Sequence, residues 1–229
     1  MMTNPIVTVE DLRAEALTLL NGAADGDGLD SRVAALVRLA VHASVATLDG
    51  DGIDWTMRRA LEAGATAAQV HETLVLVSGL GMHTLMEGSR RLASVLRENG
   101  DTSLDGPLDD SRIALRHRFE GNGGGYWRRF DRETPGFLDS LLRLSPEAYE
   151  AFFTYCAVPW RMDALGALDK ELLSLASDAT PGHRYQPGLR VHVVNAIRLG
   201  AGRKAVLQAL DIAATAPPHP GVPGHRKPA

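Results

Sequence analysis

The stretch that decides the fold is residues 29–83, LDSRVAALVRLAVHASVATLDGDGIDWTMRRALEAGATAAQVHETLVLVSGLGMH. It returns without a gap at 165–219 as LGALDKELLSLASDATPGHRYQPGLRVHVVNAIRLGAGRKAVLQALDIAATAPPH. At the constant offset of 136, twelve of 55 positions are identical, among them Leu36/Leu172, Leu39/Leu175, Ala40/Ala176, Ala60/Ala196, Gly64/Gly200, Val70/Val206 and His83/His219. Self-similarity at a fixed offset is the mark of a duplicated structural unit, so the chain reads as two copies of one unit.

Within each copy, apolar residues recur every three or four positions, as in SRVAALVRLAVHASVATL (31–48) and QVHETLVLVSGL (69–80), and the same holds upstream in VEDLRAEALTLL (9–20). That is the period of an amphipathic helix. No stretch alternates as a half-buried strand does, so the expected class is all-α. Thr8 and Ser145 stand where N-caps are needed, the second followed by Pro146 at the first helical position. Each copy is expected to have a preceding helix (9–20 and 146–158), a long helix, a Gly-bearing loop, a second helix ending in Gly-Ala and a third helix. The first copy adds a closing helix over 83–100. The second has no room for one, because PPHPGVPGHRKPA (217–229) carries five prolines and cannot continue a helix. Its missing cover is expected from linker segments or from another subunit. The resulting division is a first repeat over 1–100, a Gly-rich linker over 101–133 anchored by Tyr126 and Trp127, a second repeat over 134–216 and a Pro-rich tail over 217–229, the two repeats packed as one body.

Composition narrows the function. With 229 residues, 45% hydrophobic and 23% charged, the chain has the apolar content to bury a core. A net charge of −4 supplies no basic field for nucleic acid. The single cysteine, Cys156, rules out an internal disulfide and a paired-thiol redox centre, and it lies in a largely apolar run that suits a buried, inert thiol. No metal-ligand spacing such as HExxH occurs. The N-terminus has no basic-then-apolar leader and no apolar run reaches 18 residues, which predicts a cytoplasmic chain without a membrane span.

Two sets of fragments then stand in order. In the first copy they are RLAVHAS (38–44) and RRALEAGATAAQVHETLVLVSGLGMH (58–83); in the second, PW (159–160), LDKELLSLA (168–176) and GLRVHVVNAIRLGAG (188–202). Together they resemble the carboxymuconolactone decarboxylase family, whose helical fold is shared with the alkylhydroperoxidase D-like proteins. The resemblance implies two such helical repeats, ring-shaped homo-oligomers such as a trimer, and a functional pair made of a glutamate on the long helix and a histidine opening the next. The second copy keeps that pair as Glu171 and His192; the first has Ala35 and Thr56 instead. The alkylhydroperoxidase-like branch needs two cysteines in the turn before the histidine, where Tyr185 and Gly188 stand, so peroxide chemistry is the least favoured activity.

The expected activity is therefore that of a cofactor-free lyase or isomerase acting on a small carboxylated lactone or unsaturated cyclic acid. His192 would act as general acid or base, since an imidazole exchanges a proton near neutral pH, and Glu171 would fix its tautomer. Arg190 beside it offers a bidentate carboxylate clamp; Trp160, Tyr185 and His219 complete the candidate substrate-binding set. Spacing alone reads His192 as a polar residue of a first helical turn and Glu171 as a solvated residue at the DKE helix start; it is the resemblance that sets a functional reading beside this one. A non-catalytic scaffold or small-ligand-binding protein of the same fold is the alternative. No metal or cofactor is expected, and His42 is expected to be a satisfied polar group on an apolar face.

Overall fold

The computed structural model describes residues 6–121 and 125–222. Every regular element among them is helical, in the order α1 (Val9–Leu19), α2 (Ser31–Ala43), α3 (Gly50–Glu62), α4 (Ala67–Ser78), a short 3-10 turn (Gly79–Gly81), α5 (Met82–Glu98), α6 (Asp110–Glu120), α7 (Gly125–Glu133), α8 (Phe137–Leu144), α9 (Pro146–Cys156), α10 (Val158–Arg161), α11 (Ala167–Asp178), α12 (Gln186–Arg198) and α13 (Arg203–Ala214). Thr8 caps α1, accepting from the Asp11 N–H at 3.1 Å while Asp11 accepts the Thr8 N–H at 2.8 Å. Ser145 caps α9 by accepting from the Ala148 N–H at 3.1 Å. None of these helices is long and apolar enough to cross a membrane.

The chain forms two compact units. One comprises residues up to Leu80 together with those from Met162 onward; the other is Gly81–Arg161. In the first, α11 is the central element, packed against α2, α4, α12 and α13. Its residues from Lys170 to Asp178 are all buried, so this helix has no solvent face and its polar side chains must find partners inside the protein. Around it lie the apolar residues of α2 (Leu36, Val37, Leu39, Ala40), of α12 (Leu189, Val193, Ala196) and of α13 (Val206, Ala209, Ala213).

The offset found in the sequence recurs in the local geometry. The bounds of α3 and α4, shifted by 136, are those of α12 and α13. Both second helices end in the same Schellman turn: Gly64 (φ +90°) and Gly200 (φ +97°) take the left-handed conformation, and Ala65 and Ala201 each donate to the carbonyl five residues back at 2.9 Å. Leu48 (φ +38°) and Arg184 (φ +49°), also 136 apart, are the two described non-glycine residues with positive φ. Left-handed backbone is unfavourable for such side chains, so it marks the same tight loop in both places.

The cover of the second copy is α1, a segment the sequence reading had assigned to the first. This helix packs on α12 and α13, with Arg13 paired to Asp211 at 2.5 Å and Arg190 to Glu15 at 2.7 Å. The loop after α1 continues the contact: Arg203 and Lys204 donate backbone N–H groups to the carbonyls of Ala24 and Asp25 at 2.9 and 3.0 Å. A Cβ on Gly202 would meet the Asp25 carbonyl oxygen at 2.4 Å, so that close approach requires glycine.

A buried ion pair joins α4 to the start of α11. Lys170 Nζ lies 2.7 Å from Glu72 Oε1 and also donates to the Met162 carbonyl at 2.7 Å. Glu72 Oε2 accepts the backbone N–H groups of Ala164 and Leu165 at 2.8 and 3.1 Å. The pair ties α4, α11 and the segment leading into α11 together.

In the second unit α5 packs on α8, while α9 packs on α6, α8 and α10. The expected linker over 101–133 is thus largely helical. Asp109 starts α6 by accepting the Arg112 N–H at 2.8 Å, a cap that a reading focused on the neighbouring glycines passes over. An aromatic cluster fills this unit: Trp127 lies 4.5 Å from Phe153, and Phe137 5.1 Å from Phe152. Trp127 thereby packs inside this unit; the Tyr126 side chain lies outside the described residues, as does the tail beyond residue 222. Buried Tyr149 donates its hydroxyl to Glu120 at 2.6 Å. Burial pushes the Cys156 thiol up to about 11, which leaves it protonated and unreactive near neutrality.

Candidate active site

Three polar residues meet where α11 and α12 run side by side. Glu171, in the second turn of α11, is buried. His192 is in the second turn of α12 and donates its Nδ1–H to Glu171 Oε2 at 2.6 Å. Asn195, one helical turn further along α12, donates its Nδ2–H to Glu171 Oε1 at 3.1 Å. Both oxygens of one buried carboxylate are therefore held from a single face of α12, since residues three apart on a helix are neighbours. The 21 residues separating Glu171 from His192 are spanned by the turn after α11, in which His183 and Arg184 donate their backbone N–H groups to the Thr180 carbonyl and Tyr185 to that of Asp178.

The bond to Glu171 fixes the imidazole tautomer and leaves Nε2 as the nitrogen available for proton transfer. Nε2 lies 3.8 Å from Asp178 Oδ2 at the end of α11. The His192 side chain retains 19% of its exposure against 2% for Asp178, so the ring stands at the edge of the buried cluster. Burial alone lowers the His192 pKa; the hydrogen bond and charge of Glu171, assisted by Asp178, outweigh it and leave the value above that of an ordinary histidine. Burial pushes the Asp178 carboxyl up to about 7, raised further by Glu171 and opposed by His192. The site thus holds two groups able to exchange protons close to neutral pH.

Of the residues singled out from sequence, the structure brings Glu171 and His192 together and directs others elsewhere. Arg190 is two positions before His192, hence on the far side of α12, where it pairs with Glu15 of α1. Tyr185 is buried ahead of α12, its ring 5.7 Å from that of His183. His219 lies beyond α13 in an exposed segment and accepts the Gly221 N–H on Nδ1 at 2.9 Å. Trp160 belongs to α10 in the other unit, with 41% of its surface exposed. Asn195 was missed, although its position three residues after His192 places it on the same face. Asp178, the counterpart of His42 at the offset of 136, is a second residue that the sequence does not single out for the site.

The first copy lacks this chemistry. At the positions of Glu171 and His192 stand buried Ala35 and Thr56, and the Thr56 hydroxyl donates to the Gly52 carbonyl of its own helix at 2.7 Å. His42, at the position of Asp178, donates Nδ1–H to Asp49 at 2.9 Å, satisfied as expected.

No protein-family model matches the chain, and no curated protein does. A solved structure does match: a protein of Burkholderia xenovorans LB400 provisionally named a gamma-carboxymuconolactone decarboxylase subunit. It is 31% identical to this chain with a TM-score of 0.71, over 92% of this chain and 91% of the other. The chain belongs to the carboxymuconolactone decarboxylase family. Glu171 and His192 are the two positions at which the resemblance to that family placed its functional glutamate and histidine, and here they share the shortest hydrogen bond of the cluster. In this member of the carboxymuconolactone decarboxylase family the turn before the histidine carries Tyr185 and Gly188, neither of which supplies a thiol.

Proposed function

We propose that the chain is a cofactor-free lyase or isomerase that acts on a small carboxylated lactone or unsaturated cyclic acid, with His192 moving the proton and Glu171 holding His192 in place. The observation that carries this reading is the 2.6 Å bond between His192 Nδ1 and buried Glu171, itself held by Asn195. An imidazole so anchored presents Nε2 in one orientation, and a fixed orientation is what general acid–base catalysis requires. In decarboxylation, the electrons left by departing carbon dioxide move into the conjugated carbonyl. Protonated His192 delivers a proton to the carbon as that charge returns, and becomes neutral. In double-bond migration, neutral His192 removes a proton from one carbon and returns it to another. A homo-oligomeric assembly and a cytoplasmic location belong to the same proposal and rest on the resemblance and the composition.

A thermal-shift screen of small carboxylic acids and lactones on the wild-type chain and on His192→Gln tests it, because a ligand that binds the native state raises the melting temperature. The expected result is a class of acids or lactones that stabilises the wild type, is consumed by it with carbon dioxide release or a shift in ultraviolet absorbance, and is not consumed by the variant. Equal responses of both proteins, with no turnover by either, overturn the proposal in favour of a non-catalytic scaffold.

A further inference from the structure

The side of His192 away from Glu171 leads to a second histidine. Asp178 Oδ2 is 3.8 Å from His192 Nε2 and Asp178 Oδ1 is 3.8 Å from His183 Nε2, so one buried carboxylate stands between two imidazoles. The exposure of the side chains runs 19%, 2% and 16% along this row. The turn Asp178–Tyr185 builds it: the Tyr185 N–H returns to the Asp178 carbonyl at 2.9 Å and the His183 N–H to that of Thr180 at 2.9 Å, which holds His183 beside the end of α11. Both gaps are too long for a direct hydrogen bond and short enough for one bridging water or a small side-chain rotation. The first copy has His42, Thr47 and Thr56 at the positions of Asp178, His183 and His192, so the row exists only where the Glu–His pair exists.

We propose that Asp178 and His183 form a proton relay that recharges His192 from solvent. The proposal rests on the reading of His192 as the proton-transferring residue. Decarboxylation replaces carbon dioxide by a proton on carbon, so each turnover leaves His192 one proton short. The relay restores it in two balanced steps. Protonated His183 gives its Nε2 proton to Asp178 Oδ1, which makes a neutral carboxylic acid and a neutral imidazole. Asp178 then gives a proton from Oδ2 to His192 Nε2, which regenerates the carboxylate and the imidazolium. His183 takes its next proton from water. A carboxyl raised to about 7 by burial and a His183 lowered by burial keep the intermediate states close in energy, as transfer between matched groups requires. Asp178 and His183 are thus positioning and relay residues that act through His192.

The test is the exchange of the Nε2–H of protonated His192 with water, read by NMR on the 229-residue chain with ¹⁵N-labelled histidine, in the wild type, Asp178→Asn and His183→Gln. Folding of each variant is checked by near-ultraviolet circular dichroism. The expected result is slowing on the order of tenfold or more in both variants. His183→Gln, at a residue less buried than Asp178 (16% against 2% of the side chain exposed), keeps the test decisive if Asp178→Asn is unstable. Exchange at the wild-type rate in His183→Gln overturns the relay, since protons then reach His192 without it. No substrate enters the measurement, so a failed relay shows as unchanged exchange, whereas a failed enzymatic reading shows as absent turnover beside slowed exchange in the variants.

Discussion

Asp178 occupies the space that a side chain at position 188 would fill: a Cβ built on Gly188 would lie 2.1 Å from Asp178 Oδ2. The first turn of α12 can accept the buried carboxylate only because that residue is glycine, which shows that the position is set by contact with α11.

Gly188→Ala is therefore expected to displace the Asp178 carboxylate or push α12 outward. Overpacking of this kind costs about 1–3 kcal/mol, which for a chain of this size lowers the melting temperature by roughly 2–4 °C per kcal/mol. Thermal denaturation checks the loss, and an NMR titration of His192 shows the disturbance of its neighbour directly.

Stability should fall as pH rises. Asp178 in the folded chain holds its proton to about 7, whereas an unfolded aspartate loses it near ~3.9. Its contribution is present at low pH and is lost as pH climbs through that interval. His192, raised by its two acidic neighbours, has the same sign: its contribution is full below about 6.5 and is lost as pH passes its folded value. Melting curves from pH 4 to 8 should show a shallower decline for Asp178→Asn than for the wild type. Parallel curves for the two proteins contradict this.

Glu171→Gln should reverse the balance at His192. Burial lowers the imidazole pKa and Glu171 opposes that effect, so removing the carboxylate charge lets burial prevail. The expected outcome is a His192 titration below the ordinary histidine value of about 6.5, observed by following its ring resonances against pH.

The Glu72–Lys170 pair gives a prediction independent of the site. Lys170→Met leaves the Glu72 carboxylate buried without its cation, a loss of about 3–5 kcal/mol. The double variant Glu72→Gln, Lys170→Met removes the charge as well and should be the more stable of the two by urea denaturation.

How much of this was legible beforehand follows from what each feature depends on. The helices of the two copies were readable because their period, their caps at Thr8 and Ser145 and the Gly-Ala turns at 64–65 and 200–201 are local. Glu171 and His192 were readable because the resemblance named their positions. The partner of Arg190 was not, since Glu15 is 175 residues away in sequence and no local pattern links them. Asp178, at the position of His42, reads from sequence as a satisfied polar group of the core. Its role depends on the whole of α11 being enclosed, which follows from how the helices around it pack. Helix α6 was obscured by flanking glycines, although the Asp109 cap was in plain view.

The interrupted layout of the first unit also sets an order of events during synthesis. Helices α2, α3 and α4 leave the ribosome early and can pack on one another, yet the two remaining partners of α2, α11 and α13, follow only after the whole of residues 81–161. Through that interval the side of α2 that packs on α11 and α13 lacks its native partners. The nascent chain carries an uncovered apolar face, and contacts so far apart in sequence form slowly. This unit gains its native packing only after most of the chain has been translated, so it should depend more than the intervening segment on chaperone protection or slow translation.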